Sequence, residues 1–239
     1  MKKLDQKIIK GRLALFKLKF NHRLDKYELS QASKYSDFPD LITSMCPNYR
    51  DQNELLVGSG QNLFLFNILK TDFEYSLQCL KFVRVRAQVR CIQWKWSQDQ
   101  QDLEKGMKSV KSKLEALILL ADNEEGLSIF TYNERIKDIK LKSFDISSKA
   151  LLYAEFLQNN ENKLNDQQQS KDKRVGCVDF NGRFYLMNQI QSQNPLLRQN
   201  MEAVDQLNLN EMGRKFQQLK KDDSILTMGL RGQLSRIYI

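Results

Sequence analysis

The feature that most constrains this chain is a short segment that recurs five times. Each copy opens on glycine and continues as an alternating apolar stretch that ends in a bulky residue. The copies are GRLALFKL (11–18), GQNLFLFNI (60–68), GLSIFTY (126–132), GRFYLMN (182–188) and GQLSRIYI (232–239). Their glycines stand 49, 66, 56 and 50 residues apart. Four of them follow a second apolar stretch across a short turn, as in ELLVGSG, LEALILLADNEEG, RVGCVDFNG and SILTMGLRG. Strand, Gly/Asn/Asp-bearing turn, strand is the pattern of a β-hairpin, because such turns need residues that tolerate positive φ. A helix would need apolar residues at i, i+3, i+4 and i+7, and these stretches instead alternate or run apolar without a break.

Flanking stretches supply further strands. LITSMCP (41–47), VRCIQWKWS (89–97) and ALLYAEFLQ (150–158) precede hairpins, whereas YSLQCLKFVRVR (75–86) and IKDIKLKSF (136–144) follow them. The result is a series of four-stranded antiparallel units about 50 to 65 residues long, the period at which propellers build their blades. A single blade would leave apolar surface wet, which accounts for strands that are apolar on both faces. The expected fold is therefore all-β and β-propeller-like, with about four four-stranded blades in one domain spanning 1–239. Within it, residues 1–30 form a basic N-terminal strand region. Polar loops are expected at 97–113 and 158–174, between the first and second strands of their units. Residues 189–223 read as an insertion, in which Leu209, Met212, Phe216 and Leu219 have the spacing of a short amphipathic helix weakened by Gly213.

The repeats resemble those of a divergent WD-repeat β-propeller. In that family the third strand begins with Gly and ends in an aromatic–Asp pair with an apolar residue after it. Phe66-Asn67-Ile68 and Phe16-Lys17-Leu18 occupy that place most clearly, followed by Met187-Asn188, Ile237-Tyr238-Ile239 and, shifted by one, Phe130-Thr131. The resemblance covers roughly residues 10–239, and the chain has neither a Trp-Asp nor a Gly-His dipeptide. WD-type propellers usually close with seven blades, and this chain supplies about four. Three arrangements follow: strand 12–20 completes the last blade with 224–239, the ring is open and its edges meet a partner, or the chain is part of a longer protein. The open or partial ring is preferred, since exposed edges attract other strands.

Little in the sequence points to catalysis. His22 is the only histidine, and no spacing sets it beside a nucleophile. Cys46, Cys79, Cys91 and Cys177 lie 33, 12 and 86 residues apart, which matches neither a disulfide framework nor a zinc site. They suit a reducing cytoplasmic or nuclear compartment. Gly58-Ser59-Gly60 joins two strands, so it reads as a hairpin turn and not a phosphate loop. Glu124-Glu125 and Asp222-Asp223 read as solvent-facing turn residues. No catalytic residue, metal or cofactor is expected. No apolar run reaches the length of a membrane span, and the alternation of Leu13, Leu15, Lys17 and Lys19, with no serine before it, opposes a mitochondrial leader.

The net charge of +9 is concentrated at the start, where residues 1–30 hold nine Lys/Arg against three acids. Lys81, Arg84, Arg86 and Arg90 extend the basic character; Arg84 and Arg86 share one strand face while Val83 and Val85 take the other. These four are candidate contacts for nucleic acid or an acidic partner, and Met212, Phe216 and Leu219 are candidate contacts on the expected helix. Trp94 and Trp96 share parity with Ile92, which marks them as packing residues. The expected role is a non-catalytic scaffold holding other protein subunits of an intracellular complex; the alternative is a nucleic-acid-associated subunit of a transcription or RNA-processing assembly.

Overall fold

A computed structural model describes residues 10–71, 74–96, 115–145, 150–157, 175–190, 199–208, 213–218, 224–229 and 234–238. The described residues contain seventeen strands and no helix, so the chain is all-β. They pack as two compact units, Met1–Val89 and Arg90–Ile239.

The first unit opens with a hairpin of β1 (Leu13–Asn21) and β2 (Lys26–Tyr35). Its tip is held by Asn21, whose Oδ1 accepts the Arg23 N–H at 3.0 Å, and by Asp25 at φ 48°. Next comes a four-stranded antiparallel meander of β3 (Ile42–Pro47), β4 (Glu54–Ser59), β5 (Asn62–Lys70) and β6 (Tyr75–Arg84). The Gly58-Ser59-Gly60 segment forms the β4–β5 hairpin, with Gly60 at φ 54°. Leu56, Leu63 and Leu65 alternate with Val57, Phe64 and Phe66, and all six are buried, as strands apolar on both faces require. One face of the meander is covered from within the unit: Leu13 and Phe38 join Val57, Phe64 and Phe66 in a single core, with Tyr35, Ile42, Leu55, Leu77 and Cys79 at its margin. Edge-to-face contacts of Phe38 with Tyr35 and Phe64, centroids 5.0 and 5.2 Å apart, lock that cover in place.

The second unit contains two further meanders. β7 (Val89–Trp96), β8 (Glu115–Asp122), β9 (Leu127–Asn133) and β10 (Asp138–Asp145) form the first. β11 (Leu151–Phe156), β12 (Val175–Asp179), β13 (Arg183–Ile190) and β14 (Gln199–Asn208) form the second. Cys91, Leu119, Ala121, Leu127 and Ile129 of the former share one core with Ala154, Val175, Cys177, Tyr185 and Met187 of the latter. Faces of the two meanders thus bury one another, as neighbouring blades do, while a β10–β14 ladder joins both into one eight-stranded sheet. The fourth strands of these two meanders run the same way, and β10 meets β14 in a parallel ladder from Ser143↔Gln199 to Asp145↔Met201. β15 (Gly213–Gln218), β16 (Ser224–Gly229) and β17 (Leu234–Tyr238) complete the chain as a three-stranded antiparallel sheet.

The all-β, propeller-like series of antiparallel strands matches the sequence expectation, with two corrections. Residues 189–223 are not a plain insertion, because they supply β14 and β15. The expected helix is absent at Phe216, which lies in β15 and pairs with Thr227; its companions Met212 and Leu219 lie outside the described residues. The 3–4–3 spacing that suggested a helix is outweighed by cross-strand pairing with the apolar SILTMG stretch. β1 pairs with β2 from Leu13↔Tyr35 to Asn21↔Lys26. The loops 97–113 and 158–174 lie outside the described residues, as do Asp222 and Asp223.

Candidate interaction surface

Lys81, Arg84 and Arg86 belong to the first unit. Lys81 is half-buried in β6 opposite Leu65, and Arg84 is exposed at the strand end, its Nη2 donating to Gln61 Oε1 at 3.4 Å. β6 ends at Arg84, so Arg86 stands in the following connection, also exposed, while Val85 between them and Ala87 after them are buried. Arg90 belongs to the second unit, where its guanidinium lies 5.8 Å from the Phe180 ring. Arg84 and Arg86 therefore share exposure in one unit, and Arg90 is engaged in the other.

The remaining sequence candidates take structural places. Trp94 and Trp96 are buried, stacked with centroids 6.0 Å apart, and Tyr132 meets Trp94 edge-on at 5.1 Å. His22 is exposed in the β1–β2 turn, edge-on to Phe20 at 4.9 Å. Glu124 and Glu125 sit in the β8–β9 turn, where Asp122 Oδ1 accepts their backbone N–H groups at 3.1 and 2.6 Å and that of Gly126 at 2.9 Å. Asp179 does the same for the β12–β13 turn: Oδ1 accepts from the Asn181 and Arg183 N–H groups, both at 2.8 Å, while Oδ2 accepts the Tyr185 hydroxyl at 2.9 Å. In the β4–β5 hairpin Ser59 takes that position, its hydroxyl donating to the Asp40 carbonyl at 2.7 Å. Ser59 was read from sequence as part of a hairpin turn, whereas Asp122 and Asp179 were not singled out, although each stands at the end of a strand a few residues before a repeat glycine.

The largest unanticipated feature is one face of the β1–β2 hairpin. Phe16, Leu18 and Phe20 of β1 share it with Leu29 and Tyr27 of β2, through the pairs Leu18↔Leu29 and Phe20↔Tyr27. They are exposed by 51, 60, 40, 65 and 68%, and Leu24 at the turn adds 57%. The opposite face carries Lys17, Lys19, Lys26 and Glu28. Its base meets the meander through Leu13, through the Leu77 N–H donating to Ser33 Oγ at 3.3 Å, and through Lys17 Nζ, 5.6 Å from the Tyr75 ring centre. The alternation of FKLKF was present in the sequence, but alternation alone does not say which side of a strand faces solvent. Large contiguous apolar exposure of this kind marks interaction sites.

No protein-family model matches the chain, and no curated protein matches it either. Among the described residues no helix is long and apolar enough to cross a membrane.

Proposed function

We propose that this chain is a divergent WD-repeat-like propeller protein that acts as a non-catalytic scaffold, holding other protein subunits of an intracellular complex. The observation that carries the reading is the exposed apolar face of the β1–β2 hairpin, on an otherwise well-packed series of sheets. Blade-like sheets are rigid supports, and strand edges and projecting hairpins are the parts of such supports that partners engage. The setting proposed with it is cytoplasmic or nuclear, where Cys91 and Cys177, buried in the core of the second unit, serve as small apolar residues. Native affinity purification tests the reading: stoichiometric protein partners that survive high salt are expected, and purification as a lone chain contradicts it.

A second reading, contact with nucleic acid, is favoured by the paired exposure of Arg84 and Arg86. It requires that the salt dependence of RNA or DNA binding become shallower in the Arg84→Ala/Arg86→Ala variant. An unchanged slope excludes those two residues from phosphate contact.

A further inference from the structure

Among the described residues β1 pairs with β2 alone in its sheet, so along its other edge this two-stranded sheet offers backbone N–H and C=O groups to a further strand. β2 is hydrogen-bonded to β6 through Ser33 and Leu77, whereas β1 reaches the meander through the side chains of Leu13 and Lys17 and not through its backbone edge. A strand added there would alternate its side chains between the two faces of the hairpin. Those on one face would extend the apolar surface of Phe16, Leu18 and Phe20; those on the other would lie beside Lys17 and Lys19. The hairpin Leu13–Tyr35 carries five cations against two acids, and one of those acids, Glu28, already accepts a hydrogen bond from Asn21 Nδ2 at 2.8 Å.

We infer that the β1 edge receives an extended segment of a partner protein in which apolar and acidic residues alternate. This rests on the scaffold reading and gives it a site and a partner chemistry. Two other occupants fit less well. A second copy joined edge to edge would set the lysines of one β1 near those of the other, and like charges across a ladder destabilise it. A lipid surface would take the apolar face but leave Lys17, Lys19 and Lys26 on the far side from anionic headgroups. The aromatic group at the tip, with Phe20 and Tyr27 centroids 5.0 Å apart, supplies the rigid anchor that interfaces favour.

The test uses the full chain with three probes: a fluorescent peptide of alternating valine and glutamate matched to the nine residues of β1, the same peptide with lysine for glutamate, and phosphatidylserine vesicles. The acidic peptide is expected to bind and to slow amide exchange in β1, and the basic peptide to bind at least about threefold more weakly. Lys19→Glu, an exposed position, should reverse that preference. Equal binding of both peptides, no binding of the acidic one, or binding to vesicles alone overturns the inference. Native purification of wild type and Leu18→Ser/Phe20→Ser then separates the two levels. Partners lost only from the variant support both readings. Partners retained equally overturn the hairpin assignment and leave the scaffold standing, and no stoichiometric partner with either protein overturns the scaffold. Should the double variant lose its thermal transition, the peptide preference and its reversal by Lys19→Glu decide the matter.

Discussion

Asp179 is 5% exposed, and its carboxylate organises a whole turn: two backbone N–H groups on one oxygen and the Tyr185 hydroxyl on the other. Removing it leaves the buried Tyr185 hydroxyl and two part-buried backbone N–H groups without their acceptor, so Asp179→Ala should cost about 2–3 kcal/mol in denaturant unfolding, against about 1 kcal/mol for Tyr185→Phe. Because the two side chains share one hydrogen bond, the double variant should lose less than the sum; strict additivity would show that the bond contributes nothing. Cys79 gives a pH prediction. Burial pushes its thiol above the ordinary value of 9.0, so the folded chain resists an ionisation that the unfolded chain undergoes freely. The corresponding stability is fully present below pH 9 and is lost as pH climbs from there through the raised folded value. Stability measured from pH 7 to 10.5 should fall less steeply in Cys79→Ala than in wild type, and identical slopes would contradict this.

At the scale of elements, the hairpin is tied to the first meander at its base. The Gly11 N–H donates to the Asp40 carbonyl at 2.9 Å, and a Cβ at Gly11 would lie 2.8 Å from the Ile42 backbone nitrogen. Gly11→Ala should therefore destabilise by about 1–3 kcal/mol, seen as a lower unfolding midpoint, and should accelerate amide exchange in β1 before β6. The strands with uninterrupted apolar runs, such as β4, β5, β8 and β12, were legible in the sequence because period and turn chemistry agreed. β2 was not: KYELSQASKY has few apolar residues, most of them exposed, and it becomes a strand by pairing with β1 across the His22–Asp25 turn. β14 and β15 were hidden for a related reason, since their polar sequences take strand form from partners supplied by β13 and β16.

Taken whole, the chain repeats one solution, a four-stranded antiparallel meander whose faces are buried by what lies beside it. In the second unit that cover is the neighbouring meander, through the core that includes Ile129 and Cys177; Ile129→Ala should cost about 2–4 kcal/mol there. In the first unit one face is covered by Leu13, Phe38 and the base of the hairpin. The repeated glycines made the sheets readable, whereas the exposed hairpin face depends on which side of β1 turns inward, and strand alternation alone is symmetric on that point. The claim that most needs testing is that this protein works by holding other proteins. Native affinity purification of the tagged full-length chain at low and high salt, followed by mass spectrometry, tests it most directly. A small set of stoichiometric proteins that persists at high salt is the predicted result; a chain recovered alone, or with nucleic acid that washes away as salt rises, would contradict it.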